Sequence, residues 1–353
     1  MTVETILGET ASSNNEELSR VVAAKQDADG RVFVLDQAPP RILVFTRDGR
    51  FERQVGRPGN GPGELGIGSA GLLTQDSLLI VPDLNRSALQ FFEKTGRLAR
   101  QLQIAPAVGV TLGWQAAPNL AEAFQAVQSV SDMDTAGITR VAILRRSLSS
   151  GAVVDTPVAR SARSSVRIAD GIPNFTLFTP EFSWALLPDG SVVYATGEAC
   201  HLEVAAKGRS LRRLERSCQT RQTTRSERDS ASKLFAAALR LQRTPEALAQ
   251  TLLRRLQFAP VQPVIISLLT TGDTVFVERG DQSATTFLRQ SPAMQVNFRR
   301  SRTWEVITAS GNVLGVVQFP VGIVPLHVRG NKVLASSMTE DGVEQLVVLK
   351  LAY

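Results

Sequence analysis

An internal repeat runs through the sequence and limits the folds open to it. Residues 29–56 align with residues 76–104, which superimposes Asp36 on Asp83, Phe45 on Phe92 and Gly49 on Gly96. Each unit consists of an apolar strand, a second strand, a turn that contains the glycine, and a third strand. Glycine accepts the positive φ that tight hairpin turns often require. The repeat therefore predicts consecutive antiparallel hairpins.

Four looser copies follow, at 138–155, at 189–213, at 273–278 combined with 303–319, and at 331–351. Six antiparallel units fit a β-propeller, which leaves only short sheet edges open. The last copy stops after its third strand, whereas the chain opens with a strand-like segment at 3–7. We therefore expect one all-β domain over 1–353, a six-bladed β-propeller closed by its N-terminal strand. A β-sandwich with coincidental spacing is the alternative.

One segment, 226–258, departs from this pattern and predicts a helical insertion between blades four and five. Apolar residues recur there at helical spacing, namely Leu234, Ala238, Leu241, Leu248, Leu252 and Leu256. The tripeptide Thr244-Pro245-Glu246 predicts the start of a second helix, with the threonine hydroxyl as N-cap and proline in the first helical position. A further insertion at 281–302 has no recognisable pattern.

The composition is that of a globular protein, with 353 residues of which 43% are hydrophobic and 20% charged. No run of 18 apolar residues is present, so we expect no transmembrane helix. Residues 1–15 are polar and lack the basic and apolar regions of a signal peptide. Two locations stay open on this evidence: the cytoplasm, or an exported form numbered after processing.

The phrase VGRPGNGPGEL at 55–65, with the strands before it, resembles the NHL-like six-bladed β-propellers of bacteria. Their run between two blades is close to F-G-R-x-G-x-G-P-G-E-F, and the matching residues are Gly56, Arg57, Gly59, Gly61, Pro62, Gly63 and Glu64. The resemblance implies the fold, a structural loop here and an extracytoplasmic, periplasmic location. It implies no activity, because propellers host many functions.

Bacterial propellers of this branch also serve as membrane-extrinsic subunits of membrane complexes, including photosynthetic reaction centre–antenna complexes. The resemblance therefore suggests the same kind of role for this chain, which carries no predicted membrane anchor.

The net charge of +6 is concentrated in one segment. Residues 207–228 hold two glutamates and eight cations: Lys207, Arg209, Arg212, Arg213, Arg216, Arg221, Arg225 and Arg228. No aromatic residue is interleaved for base stacking, so we expect no nucleic acid partner. The segment is either a solvated basic face or a surface that docks an acidic protein face or anionic lipid headgroups.

The two cysteines fall in and beside the same segment. In a hairpin centred on 207–210, Cys200 and Cys218 lie nearly opposite each other on adjacent strands. Cross-strand neighbours are close enough for a disulfide. We predict this bond, and with it an oxidising compartment; two unrelated thiols are the alternative.

No catalytic, cofactor or metal site is recognisable in the sequence. His201 is interpreted as a strand residue and His327 as a residue just before a blade, and neither accompanies a nucleophile motif. Two histidines and two cysteines do not complete a zinc site by themselves. The G-x-G-x-x-G match at 66–71 lacks the flanking strand and helix of a dinucleotide site and predicts an inter-blade turn. The acidic pairs at 27–29 and 132–134 lack the later ligands of an EF-hand.

The sequence therefore predicts a non-enzymatic interaction subunit, a rigid propeller that holds a protein partner in a larger, membrane-associated assembly. The segments 207–258 and 281–302 exceed what blades need, and such additions often carry function. Two alternatives stay open. One is a lactonase- or lyase-like propeller with a channel metal, and the other is a periplasmic propeller that binds a sugar or peptide.

Overall fold

The computed structural model describes residues 1–7, 18–74, 78–116, 121–129, 133, 137–206, 211–281, 302–320, 322–338 and 344–352. Several sequence features lie outside these residues: Lys207, Arg209, the turn at 207–210, Asp132, Asp134 and most of the 281–302 insertion. The described residues form six four-stranded antiparallel sheets, one for each predicted blade.

The first half of the chain contributes the N-terminal strand and three blades. The strands are β1 (Thr2–Leu7); in blade one, β2 (Val21–Gln26), β3 (Val32–Gln37), β4 (Pro40–Phe45) and β5 (Phe51–Val55); in the connecting loop, β6 (Arg57–Pro58) and β7 (Glu64–Leu65); in blade two, β8 (Leu73–Thr74), β9 (Leu78–Asp83), β10 (Ala88–Glu93) and β11 (Leu98–Gln103); in blade three, β12 (Val110–Ala116), β13 (Glu122–Gln128), β14 (Ile138–Ser147) and β15 (Val153–Arg163).

The second half contributes three more blades and an insertion. The elements are the hairpin β16 (Val166–Ala169) and β17 (Ile172–Leu177); in blade four, β18 (Ser183–Leu186), β19 (Val192–Ala195), β20 (His201–Ala205) and β21 (Arg212–Glu215); then α1 (Arg225–Leu241), α2 (Glu246–Arg254) and β22 (Gln257–Phe258); in blade five, β23 (Ile265–Thr271), β24 (Thr274–Arg279), β25 (Arg302–Thr308) and β26 (Val313–Phe319); in blade six, β27 (Val324–Arg329), β28 (Lys332–Met338) and β29 (Glu344–Lys350).

The N-terminal strand closes the ring, as the sequence predicts. β1 pairs antiparallel with β29 and becomes the fourth strand of blade six. The first strands of successive blades contact one another from β8 through β12, β18, β23 and β27 to β2. The fold is therefore a six-bladed β-propeller.

The core lies between the blades rather than within one central cluster. Successive side chains of a strand point to opposite faces, so each central strand serves two interfaces. In β3, Phe33 and Leu35 pack against blade two, whereas Val32 and Val34 pack against blade six. This two-sided burial explains why such strands read as continuous apolar runs in the sequence.

The repeat drawn from the sequence is offset from the blades by one strand. The strands predicted to be innermost, at 31–36, 78–83 and 273–278, are the second strands β3, β9 and β24. The innermost strands β2, β8 and β23 precede them. They are less buried than the second strands or very short, and each pairs with only one strand of its own sheet. His327 accordingly lies in β27, the innermost strand of blade six, and not before the blade.

The helical insertion stands between blades four and five and is larger than the sequence indicates. Its helices pack on the β16–β17 hairpin, which leaves the ring after blade three and which the repeat did not predict. Phe235 of α1 stacks against Phe175 of β17 with ring centroids 5.3 Å apart. After α2 the chain returns as β22, which pairs parallel with β17 and completes a three-stranded sheet.

Two details of the helices differ from the prediction. The buried stripe of α1 is Ala231, Phe235, Ala238 and Leu239, while Leu248 of α2 is 39% exposed. Pro245 occupies the N-cap of α2 instead of its first turn, and Thr244 makes no side-chain cap. A stronger helix start lies at α1, where Thr224 and Glu227 form a reciprocal capping box.

Candidate functional site

The outer strand of blade four carries the first two described arginines of the basic segment. Both Arg212 and Arg213 of β21 are exposed. Arg212 donates a hydrogen bond to the Ala309 carbonyl oxygen at 2.5 Å. Arg213 lies 3.6 Å from a Glu203 carboxylate oxygen and remains 55% exposed. Both guanidinium groups therefore lie at the surface of the blade while they contact Ala309, Glu203 and, at 4.0 Å, Glu215.

Two other arginines of the segment are engaged within the protein. Arg216 is 9% exposed and forms a two-point ion pair with Glu305 of blade five, with Nε to Oε2 at 3.1 Å. Its Nη1 also donates to the Gly311 carbonyl oxygen at 3.0 Å. Arg221 pairs with Glu227 of α1. The charge of the segment is thus divided between structural ion pairs and a smaller exposed set.

The first turn of α1 holds the remaining pair, Arg225 and Arg228. Both side chains are exposed, and neither forms an ion pair with a residue that the structure describes. The N-terminal end of a helix carries a partial positive charge, which disfavours cations there. Glu227, in the same turn, has the charge that stabilises this end of the helix. The two arginines have the opposite charge and therefore destabilise it.

A disulfide joins Cys200 to Cys218, with the Cα atoms 5.7 Å apart. The register differs slightly from the predicted one, because the residue opposite Cys200 is Arg216, whose backbone N–H donates to the Cys200 carbonyl oxygen at 2.7 Å. Cys218 lies two residues further along. The bond therefore ties the segment that leads to α1 back onto blade four.

The glycine-rich loop after blade one folds around the Glu64 carboxylate. Gly61 N–H donates to it at 2.6 Å and Arg57 Nε at 2.9 Å. These contacts outweigh burial and hold the pKa of Glu64 below its ordinary value. A Cβ on Gly59 would lie 2.1 Å from Glu64 Oε2, so a side chain there would displace the carboxylate. The contacts give this loop a structural role, and the G-x-G-x-x-G match that follows it lies in turns between blades one and two.

The inner rim between blades one and six holds two titratable groups, Lys25 of β2 and His327 of β27. His327 Nδ1 accepts the backbone N–H of Gln26 at 3.4 Å, beside Lys25. Burial lowers the pKa of Lys25 from 10.5 to about 8. Burial, with the charges of Lys25 and Arg329, lowers the pKa of His327 well below 6.5. An amine with this pKa is partly unprotonated near neutral pH, and no sequence motif marks it.

A cavity of about 660 Å³ lies where the insertion joins blades three and four. Its walls come from the end of β15, the turn after it and β16, from β17 and the residues after it, and from the segment 257–262. Gly137 and Glu198 complete the lining. Because these parts are distant in sequence, no local motif predicts the cavity.

Among the residues with described positions, no three or more His, Cys, Asp or Glu side chains are grouped as a metal site. Asp27 instead accepts hydrogen bonds from Arg31 and from Lys94 Nζ at 3.1 Å. No helix in the described part of the chain has the length and apolarity to span a membrane.

Comparisons with known proteins agree on the architecture. A family model, DUF5128, described as a 6-bladed β-propeller, matches residues 1–66. A structure of a DUF4221 family member from Bacteroides vulgatus is 12% identical; the match covers 100% of this chain and 96% of that chain with a TM-score of 0.57. A candidate exported protein from Bacteroides fragilis is 9% identical, with 99% and 94% covered and a TM-score of 0.50.

Virginiamycin B lyase from Staphylococcus aureus is 9% identical, with 94% of this chain and 95% of that chain covered and a TM-score of 0.42. No curated protein matches the sequence. Likeness at such identities extends to the fold alone, and function has to be argued from the residues of this chain.

Proposed function

We propose that the protein is a non-enzymatic interaction subunit that docks onto an acidic face of a protein partner in a larger, membrane-associated assembly. The contact surface, which we call the arginine edge, consists of Arg212, Arg213, Arg225 and Arg228. The observation that carries the proposal is the exposure of Arg225 and Arg228 in the first turn of α1.

The arginine edge is held on a preorganised support. The Cys200–Cys218 bond and the ion pair of Arg216 with Glu305 fix the chain between β21 and α1 to blades four and five. The capping box then fixes the first turn of α1. A surface that is rigid before binding loses less conformational entropy when a partner binds.

The electrostatics of α1 favour a negatively charged partner. A cation in the first turn destabilises a helix by about 0.3–1 kcal/mol, and Arg225 and Arg228 are both there. Residues that oppose local stability are expected mainly at functional sites. Carboxylates of a partner would remove the conflict, and guanidinium groups pair with carboxylates through two parallel hydrogen bonds.

The disulfide supports a location outside the cytoplasm, because such bonds persist in oxidising compartments. We place the protein in the periplasm, at the membrane surface, where partners are subunits of membrane complexes. The photosynthetic reaction centre–antenna complexes that the sequence resemblance suggests are one assembly of this kind.

The test is recovery of the complex from detergent-solubilised native membranes by the full chain. Arg225→Glu combined with Arg228→Glu should reduce recovery about tenfold or more, since charge pairs at the interface become repulsive. The same variant should be at least as stable as the wild type, because glutamate suits the first turn of a helix. Raising the salt concentration should weaken recovery of the wild type.

The matched control is Arg47→Glu with Arg50→Glu, which reverses two exposed charges on a turn of blade one. This control should leave recovery unchanged. Undiminished recovery with the α1 variant would refute the proposal. So would equal binding of the wild type to protein-free vesicles of anionic lipid, which would identify headgroups rather than a protein as the partner.

A further inference from the structure

The cavity between the insertion and blades three and four is lined by a buried amide that has no side-chain hydrogen bond to any described residue. Gln262 is 2% exposed and lines the cavity. Neither its Nε2 nor its Oε1 has a hydrogen-bond partner among the described residues. Buried polar groups are nearly always paired, so an exception calls for an explanation. A ligand in the cavity supplies one.

The backbone holds Gln262 in place. Its N–H donates to the Arg221 carbonyl oxygen at 2.8 Å, and Gln222 bridges to Val261 beside it. From this fixed backbone the side chain offers the N–H donors of Nε2 and the acceptor Oε1. A carboxamide satisfies both atoms at once with the N–H and C=O of a peptide backbone.

The charge of the lining is positive. Arg163 and Arg167 contribute two guanidinium groups, and Glu198 contributes one carboxylate, which pairs with Arg163 at the rim. Arg163 and Glu198 are about half exposed, so the rim is open to solvent. Guanidinium groups recognise carboxylates with two-point geometry. An anionic ligand end therefore fits this side of the cavity.

Part of the lining is apolar. Phe258, Pro180 and Val261 contribute to it, and the Phe258 ring packs on Phe178 with centroids 5.9 Å apart. This packing fixes the aromatic wall. The cavity thus combines a positive rim, a fixed amide and an apolar surface, and its volume lies within the range of small-molecule sites.

We propose that this cavity binds a short peptide with a free C-terminal carboxylate and an apolar side chain. The carboxylate lies toward Arg163 and Arg167, the peptide amide pairs with Gln262, and the side chain packs on Phe258. This function goes beyond docking at the arginine edge and uses a different surface of the molecule.

The probes are a mixed set of N-acetyl dipeptides with apolar C-terminal residues, the same dipeptides as C-terminal amides, and a panel of mono- and disaccharides. Binding to the full chain is measured by isothermal titration calorimetry. We expect the free acids to bind at least about tenfold more tightly than the amides, because the carboxylate adds one charge-assisted contact. Binding of the saccharides alone, or of no probe, would overturn the proposal.

Gln262→Met tests the role of the amide. The substitution keeps the length of the side chain and removes the unpaired polar atoms, so the variant should melt at a higher temperature than the wild type. Its affinity for the free acids should fall about tenfold, as expected for loss of a paired amide. Gln250→Met, on the exposed surface of α2, is the control and should leave affinity unchanged.

Unchanged affinity in Gln262→Met would also overturn the proposal. The two functions fail separately in these experiments, because Gln262→Met should still recover the membrane complex. The Arg225→Glu and Arg228→Glu variant, conversely, should still bind the dipeptides.

Discussion

The ring and the insertion achieve stability in different ways. In the ring, each apolar cluster is shared by two neighbouring blades, and β1 closes the circle. The insertion has its own clusters, one around Phe235 and Leu252 and one around Phe178, which share no residue with the clusters between blades. The ring therefore resists local opening, whereas the insertion can loosen without opening a blade.

The largest expected effect comes from removing one buried ring from each region. Phe33 in blade one and Phe235 in α1 are both fully buried. Phe33→Ala should lower the free energy of unfolding of the propeller by about 3–5 kcal/mol. Phe235→Ala should instead open the insertion and leave the ring intact. Chemical denaturation measures the loss of global stability. Hydrogen exchange of the two regions shows which of them has opened.

In Phe235→Ala, exchange should rise within α1, α2 and β16–β17, while β3 and β4 keep the protection of the wild type. Equal loss of protection in both regions would show that the ring and the insertion unfold as one unit. The proposed independence of the insertion from the ring would then be wrong.

The same difference explains what the sequence could predict. Strands such as β3 and β9 are buried on both faces, so their apolar runs repeat visibly and reveal the ring. The innermost strands have no such pattern: β8 has two residues, and β27 includes His327. Those strands were therefore missed, although the number of blades and the closure were predicted correctly.

The sites follow the same division. The positions of Cys200 and Cys218 within one hairpin were enough to predict their bond, because the contact is local. The cavity around Gln262 joins segments more than a hundred residues apart, and no spacing rule brings them together. The burial of Arg216 was likewise hidden, since its partner Glu305 lies in another blade.

The next effect concerns the disulfide, which lies where the ring meets the insertion. Replacing both cysteines with serine removes a cross-link between residues separated by 18 positions. The chain-entropy relation gives a loss of about 3 kcal/mol for a loop of this size. We expect the double-serine variant to have a lower denaturation midpoint than the wild type. Reductant should lower the midpoint of the wild type and leave that of the variant unchanged. A wild-type midpoint insensitive to reductant would contradict the prediction.

A smaller effect comes from His327 in the ring. Burial and the charges of Lys25 and Arg329 keep its pKa well below 6.5, so the unfolded chain binds a proton that the folded one does not. The stability that depends on neutral His327 is therefore fully present above pH 6.5 and falls as the pH drops below it, by up to about 1.4 kcal/mol per pH unit.

Denaturation midpoints measured at pH values from about 7.5 down to about 5 report this loss of stability. His327→Gln should flatten the acid side of the profile, because glutamine does not titrate. His201→Gln, which removes the other histidine, is the control and should still lose stability at acid pH as the wild type does. An unaltered slope in His327→Gln would assign the pH dependence to other groups.

The smallest effect is confined to the start of α1. Burial raises the pKa of Glu227, but hydrogen bonds from Thr224 and the pairing with Arg221 outweigh it and lower the pKa. Thr224→Ala removes the hydroxyl cap and should destabilise α1 by about 1 kcal/mol, with faster exchange of its first-turn amides. In the wild type the contribution of Glu227 is present above its unfolded pKa and is lost as the pH falls through the folded value. Since the apolar clusters that hold α1 share no residue with the clusters between the blades, the midpoint of the ring should not move. A shift there would mean that the helix start is coupled to the blades.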